Sequence, residues 1–157
     1  MGRSADGGWW WGYSPGDARW MSDCVFCEIV AGRVRAFRVL EDECAVAFLD
    51  IRPAAPGHTL VVPRVHARDI WDISDDSHAG VASLTRRVAL LLKDVFEPDG
   101  VNVRLNSGAA AGQDVFHFHA HVIPRRHDDG LRLTWSSPLA PVAELEQAMR
   151  RITERRE

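Results

Sequence analysis

No run of 18 or more apolar residues occurs in the 157-residue sequence, and that is the length a helix needs to cross a hydrocarbon core, so no membrane partner is expected. Excess positive charge is also lacking. The formal net charge is −3, and no Lys/Arg block stands beside an aromatic series, which argues against a nucleic-acid polymer as partner. Cysteine is scarce, with three residues at positions 24, 27 and 44. An odd set with no secretory signal before it excludes a disulfide framework and points to a reducing, cytoplasmic setting. Repeats and low-complexity tracts are missing from the part that reads as folded. The length suits one core and not two domains. With 46% hydrophobic and 26% charged residues, the composition is that of a soluble globular protein and not of a disordered one.

Residues 1–21 read as a disordered N-terminal extension. Four of the six tryptophans fall there among Gly, Ser, Pro and Asp, without helical or strand period. Met21 immediately precedes the first segment that looks folded, which fits an upstream start or an appended leader equally. Residues 22–157 read as one domain with a C-terminal helical segment. A short helical turn is expected over 24–31, closed by Gly32. Strands are expected over 37–40, 44–50 and 58–63, with Cys44 in the core. Val81, Leu84, Val88, Leu91, Leu92 and Val95 recur at helical steps behind Asp75 and Asp76, predicting a long helix with one buried face that ends before Pro98. Strands over 101–105 and 116–123 follow, then a helix over 141–151 with Val142, Leu145 and Met149 on one side. The order predicts an α+β fold with an antiparallel sheet.

Chemistry concentrates in His117-Phe118-His119-Ala120-His121-Val122-Ile123. In extended chain alternate side chains share a face, so the three imidazoles line one side while Phe118, Ala120 and Val122 enter the core. Two other readings stand beside a reactive imidazole patch. One is an ordinary half-buried strand whose polar face happens to be histidine. The other is a catalytic metal site, since His-x-His on a strand places two ligands. An amidohydrolase barrel needs about 250 residues, and a cupin-like site wants a carboxylate where Pro124, Arg125 and Arg126 stand. A carbonic-anhydrase-like site would need a third ligand, for which His58 is the one candidate.

The stretch from Asn106-Ser-Gly through Gly112-Gln113-Asp114-Val115-Phe116 to the histidines and Pro124-Arg125 resembles the signature of the histidine triad superfamily. Upstream, Phe26, Glu41-Asp42, residues 47–51, Pro56-Gly57-His58 and residues 62–66 resemble the same family's N-terminal half, so the likeness covers roughly residues 23 to 126. The Hint branch and its small bacterial relatives are similar in layout. The resemblance implies a homodimeric protein that binds purine nucleotides and hydrolyses nucleoside phosphoramidates or adenylylated compounds, with no catalytic metal required. Dinucleoside polyphosphates are the alternative substrates, for which Arg125 and Arg126 are candidate contacts. A nucleotide-binding interaction protein of weak activity is the alternative class.

By the same resemblance His119 is the nucleophile, His121 contacts the phosphate and shares proton work, and His58 and His117 complete the catalytic set. A neutral imidazole is a good nucleophile near pH 7, and a nucleotidyl-histidine intermediate divides one difficult displacement into two easier ones. Phe26, Ile29, Phe48 and Ile51 resemble the walls of the base pocket, residue types that elsewhere are usually plain core. Asp50 resembles the acceptor of the ribose hydroxyls. Asn106, Gly112 and Gln113 resemble the phosphate-supporting loop, although a flexible hairpin loop would look alike. Asp114 departs from the eukaryotic Hint pattern, where a serine stands. An ionised carboxylate cannot donate to the leaving group and repels phosphate.

Cys24-x-x-Cys27, His66 and His117 would suit tetrahedral structural zinc, an arrangement similar to that of galactose-1-phosphate uridylyltransferases and several bacterial histidine triad proteins. A redox pair and two inert thiols are the competing readings.

Overall fold

The computed structural model describes residues 24–131 and 139–154. The expected extension over residues 1–21 lies outside that range. Nine elements follow in order: helix α1 (Val25–Val30), strands β1 (Arg38–Glu41), β2 (Ala45–Leu49) and β3 (Thr59–Pro63), helix α2 (Asp75–Phe96), strand β4 (Gly100–Leu105), a single 3₁₀ turn (Ala109–Ala111), strand β5 (Ala120–Arg125) and helix α3 (Val142–Glu154). The strands form one antiparallel sheet in the order β1-β2-β3-β5-β4, so the architecture is the α+β arrangement expected. Among the described residues no helix is long and apolar enough to cross a membrane.

Helix α2 starts where Ser74 caps it, its side chain accepting from the Ser77 N–H, and Asp75 and Asp76 suit the positive end of the helix dipole. Pro98 forbids continuation. Glu97 ends the helix in a left-handed conformation, φ 45°, and Arg126 donates to the Phe96 and Glu97 carbonyls, satisfying acceptors that a helix C-terminus leaves open. Val81, Leu84, Val88, Leu92 and Val95 are buried against Ala45, Ala47, Leu49, Val61, Phe118, Ala120 and Val122 of the sheet. A side chain as deeply buried as Leu84 contributes about 1.5–3 kcal/mol by leaving water. Leu145 and Ile152 of α3 close the same core.

The opposite face holds a second, smaller cluster, in which Cys24, Phe26 and Ile29 of the α1 region pack on Val46, Phe48, Leu60 and Val62. This is also the face of His121, because His121 pairs with Leu60 across β3–β5 and directly opposed residues share a side.

Three details depart from the sequence reading. Cys44 is exposed, lying just before β2 against Gly80 of α2, where an added Cβ would meet the cysteine Cβ at 2.5 Å. Val142 is exposed at the start of α3, and the buried stripe is carried by Leu145 and Ile152 instead. The strand expected over 116–123 begins only at Ala120, because residues 117–119 bond elsewhere: the Phe118 N–H donates to the Ala67 carbonyl. Alternation of facing survives outside the ladder, with Phe118 in the α2-side core and His117 and His119 against Phe26 on the other side.

Candidate active site and cysteine-histidine cluster

Five of the seven histidines fall in two groups joined at His117. His58, His119 and His121 form the first, all buried. Their hydrogen bonds fix which ring nitrogens carry protons. A carbonyl only accepts, so the 2.7 Å contact between His119 Nδ1 and the His117 carbonyl places the His119 proton on Nδ1 and leaves a lone pair on Nε2. The Ala54 N–H donates to His58 Nδ1 at 3.0 Å, which puts the His58 proton on Nε2. From there it is donated to His121 Nδ1, 3.0 Å away, and the neutral His121 ring then carries its own proton on Nε2. The backbone thus sets a one-way relay from residue 54 through two rings.

Asp50 stands beside this relay, with Oδ2 3.6 Å from His58 Nε2 and 4.0 Å from His121 Nδ1, while Oδ1 accepts from the Arg52 N–H. Asp50, His58 and His121 are close enough to hold a metal ion. The tautomers argue otherwise: with Nδ1 already accepting, His58 could offer Nε2 to a metal only as an imidazolate.

Burial sets the charge state. It pushes His58 down from its ordinary 6.5 to about 4, partly opposed by Asp50. His121 is lowered further by burial, then by His119, His58 and Arg104. His119 is lowered by burial, with the His117 carbonyl, Asp50 and Asp114 acting in the other direction. All three rings are neutral near pH 7.

The second group is Cys24, Cys27, His66 and His117, whose ligand atoms all lie within 4.8 Å of one another. His117 Nε2 lies 3.1 Å from the Pro63 carbonyl, so it holds the proton and Nδ1 turns its lone pair to the cluster. There Cys24 Sγ is at 3.4 Å, Cys27 Sγ at 3.5 Å and His66 Nδ1 at 3.3 Å. Tetrahedral zinc with ordinary Zn–S and Zn–N bonds has S···N edges of about 3.5 Å and N···N edges of about 3.3 Å. The donors therefore fit that ion in both chemistry and spacing. Burial, with Cys24 adding, pushes the Cys27 thiol up to about 12 in the metal-free chain.

The remaining expected residues divide. Phe26, Ile29 and Phe48 share the site-face cluster, with Phe26 edge-on to Phe48 at 5.4 Å and to His119 at 5.3 Å. Ile51 does not join them. It packs against the α2-side core, because facing alternates along extended chain and residue 51 falls on the side of Ala47 and Leu49, opposite Phe48. Asn106 Nδ2 donates to the Gly112 carbonyl, and Gly112 adopts φ 82°, which favours glycine. Gln113 is buried and braces the loop: Oε1 accepts from the Gly108 N–H, and Nε2 donates to the Arg68 and Val115 carbonyls. Asp114 is exposed and near enough to raise the His119 pKa. Arg125 is held by Asp129, Asn102 and the Leu131 carbonyl, and Arg126 caps α2. Both arginines serve the fold.

A buried neutral imidazole with one nitrogen fixed by main chain and a second ring 4.9 Å away is a group that can act as a nucleophile, set here beside an antiparallel sheet. Comparison with known proteins gives the lineage. The HIT domain profile matches residues 31–128. A HIT-like protein of Mycoplasma pneumoniae is 46% identical over 110 residues, 70% of this chain and 76% of that protein. The adenosine 5'-monophosphoramidase hnt1 of Schizosaccharomyces pombe is 38% identical over 120 residues, 75% of this chain and 87% of that one. A zinc-bound histidine triad family protein of Mycobacterium smegmatis has a similar structure, with TM-score 0.72 and 37% identity over 86% of this chain and 96% of that one. The chain belongs to the HIT family.

Proposed function

We propose that this protein is a nucleotidyl hydrolase or transferase acting at the α-phosphate of purine nucleoside phosphoramidates or related adenylylated compounds. The observation that carries the reading is the His119 tautomer, fixed by the His117 carbonyl at 2.7 Å. His119 Nε2 forms a bond to phosphorus as the bond to the leaving group breaks, and the leaving amine takes up a proton from solvent, which the attacking water of the second step returns. Water then displaces Nε2 and releases the nucleoside monophosphate. His121 Nε2–H faces the phosphate oxygens as a donor, where it stabilises charge on the transferring group. Phe26, Ile29 and Phe48 wall the base, Asp50 accepts from the ribose, and Asn106 with the loop of Gly112 and Gln113 supports the phosphates. Ile51 backs that wall from the other side of the sheet.

Engagement of Arg125 and Arg126 within the fold removes the feature that favoured dinucleoside polyphosphates. A non-catalytic nucleotide-binding protein is the reading from another class. The two classes separate on one experiment, base-quenched intact-mass measurement after mixing with adenosine phosphoramidate. A single nucleotidyl group on the chain, located at His119, supports the enzyme, and turnover without any adduct at His119 rejects this mechanism.

Because the nucleophile must be neutral, its lowered pKa predicts activity on the acid side. An ordinary histidine is half protonated at its 6.5, whereas a ring with a depressed pKa stays neutral there and loses its lone pair only at lower pH. With a substrate whose α-phosphate carries one ionisable oxygen, kcat/KM should hold its plateau through pH 6.5 and fall below it. A midpoint at or above 6.5 contradicts the neutral nucleophile.

Cys24, Cys27, His66 and His117 would hold a structural zinc, which when bound supplies cross-links and no chemistry on substrate. Residues 22–157 act as one unit with residues 1–21 as an extension, and the setting is the cytoplasm. Assembly follows from β4, a sheet edge that exposes Val101, Val103 and Leu105. A long apolar edge without lysine or proline needs cover, and an isologous homodimer supplies it. Sedimentation at micromolar concentration should give about twice the 17.5 kDa chain mass, and Val103→Glu should shift it toward monomer. A parent protein that sediments as a monomer rejects the assembly.

A further inference from the structure

Strand β4 carries two kinds of side chain in alternation. Val103 and Leu105 pair with Val122 and Ala120, which belong to the α2-side core. Asn102 and Arg104 pair with Ile123 and His121, so Arg104 lies directly across from His121 on the site face, within side-chain reach. It is half-buried, and its charge acts on His121, helping to hold that ring neutral. Arg104 Nε donates to Asn106 Oδ1 at 2.9 Å, and Asn106 Nδ2 donates in turn to the Gly112 carbonyl at 3.2 Å. The guanidinium is thereby tethered to the loop that forms one wall of the site.

The charge balance around these rings gives that position its meaning. His58 and His121 are neutral, and Asp50 and Asp114 both lie near enough to His119 to act on it. With neutral rings and two acidic side chains nearby, the site lacks the positive charge that concentrates an anion in a partly desolvated pocket. An arginine supplies permanent charge there, together with a planar fork of donors that matches phosphate oxygens.

We propose that Arg104 is an anion-recognition residue of this site, a specificity determinant that makes the pocket select nucleotides over nucleosides through the charge of the phosphate. The inference rests on the function proposed above. It concerns a residue outside the histidine series and outside the loop, and it assigns the phosphate charge to β4.

Isothermal titration of the full chain with AMP and with adenosine tests it, using Arg104→Met, Arg104→Gln and Arg104→Lys. Each neutral variant should weaken AMP about 10-fold or more, with adenosine binding held within about 2-fold because the base and ribose contacts are untouched. Lysine should restore most of the AMP affinity, since it returns the charge without the fork. Raising the salt concentration should weaken AMP binding to the parent more than to the neutral variants. Equal loss of AMP and adenosine, unchanged AMP binding in a folded neutral variant, or a lysine variant no better than methionine overturns the assignment. A parent protein that binds adenosine and AMP alike rejects the charge selection too. If the parent forms the His119 adduct and binds AMP while the neutral variants still prefer AMP over adenosine as strongly as the parent, the proposed function stands and the Arg104 inference falls alone.

Discussion

His119→Ala should abolish turnover while leaving AMP binding within a few-fold of the parent. The imidazole contributes a covalent bond to phosphorus, and no neighbouring group replaces it: the His121 lone pair is occupied by His58 N–H, and the His117 lone pair is turned into the cysteine cluster. Loss of a nucleophile typically removes about 10⁴-fold or more in rate, or roughly 5 kcal/mol of transition-state stabilisation. On the function proposed here, ground-state binding falls to Phe26, Phe48 and the loop around Gly112, none of which needs the ring. Single-turnover assays and titration of AMP measure the two effects separately. A variant that keeps more than a tenth of the parent rate, or that loses AMP binding in proportion to rate, rejects His119 as the nucleophile.

The second large effect is on folding. Protein purified without added metal should carry about one zinc per chain, and Cys24→Ser/Cys27→Ser should carry none. A structural zinc bound only by the folded form adds its binding free energy to stability, and removal of such a site costs several kcal/mol. Chelation should therefore lower the thermal midpoint by about 10 °C or more. Because Cys27 is protonated up to about 12 without metal, binding must displace a proton, and zinc affinity should fall as pH falls. Below the melting temperature turnover should change far less than stability, since the cluster touches no substrate. Protein that carries no zinc, or a double variant that retains it fully, removes the site.

Much of this arrangement was legible in the sequence, and the exceptions have identifiable causes. Helix α2 was readable because its apolar residues keep the 3.6 period over several turns and its ends carry chemical punctuation at Asp75 and Asp76 and at Pro98. The separation of Phe118 from His117 and His119 was readable because facing alternates in any extended chain. The strand boundary was not, since a period of two does not say which residues find a ladder partner; Phe118 N–H finds the Ala67 carbonyl instead. Cys44 lies just before β2 and breaks that strand's alternation to sit against Gly80, whereas Ile51 keeps the parity of Leu49 and so falls on the α2 side, opposite Phe48. Arg104, Arg125 and Arg126 look alike in sequence. One faces His121, one is held by Asp129 and one caps a helix, and such partners are fixed only when distant segments meet. The register of β4 against β5 was the missing signal for Arg104.

His117 supports two structures with different parts of itself. Its ring belongs to the cysteine cluster, whereas its carbonyl holds His119. The two supports are therefore inherited differently. Every substitution at position 117 changes the ring, but each L-residue that keeps the local backbone path still presents the same carbonyl to the nucleophile. A lineage could discard the cysteines one mutation at a time, and with them any metal the cluster would hold, with the loss expected in tolerance to heat and not in chemistry.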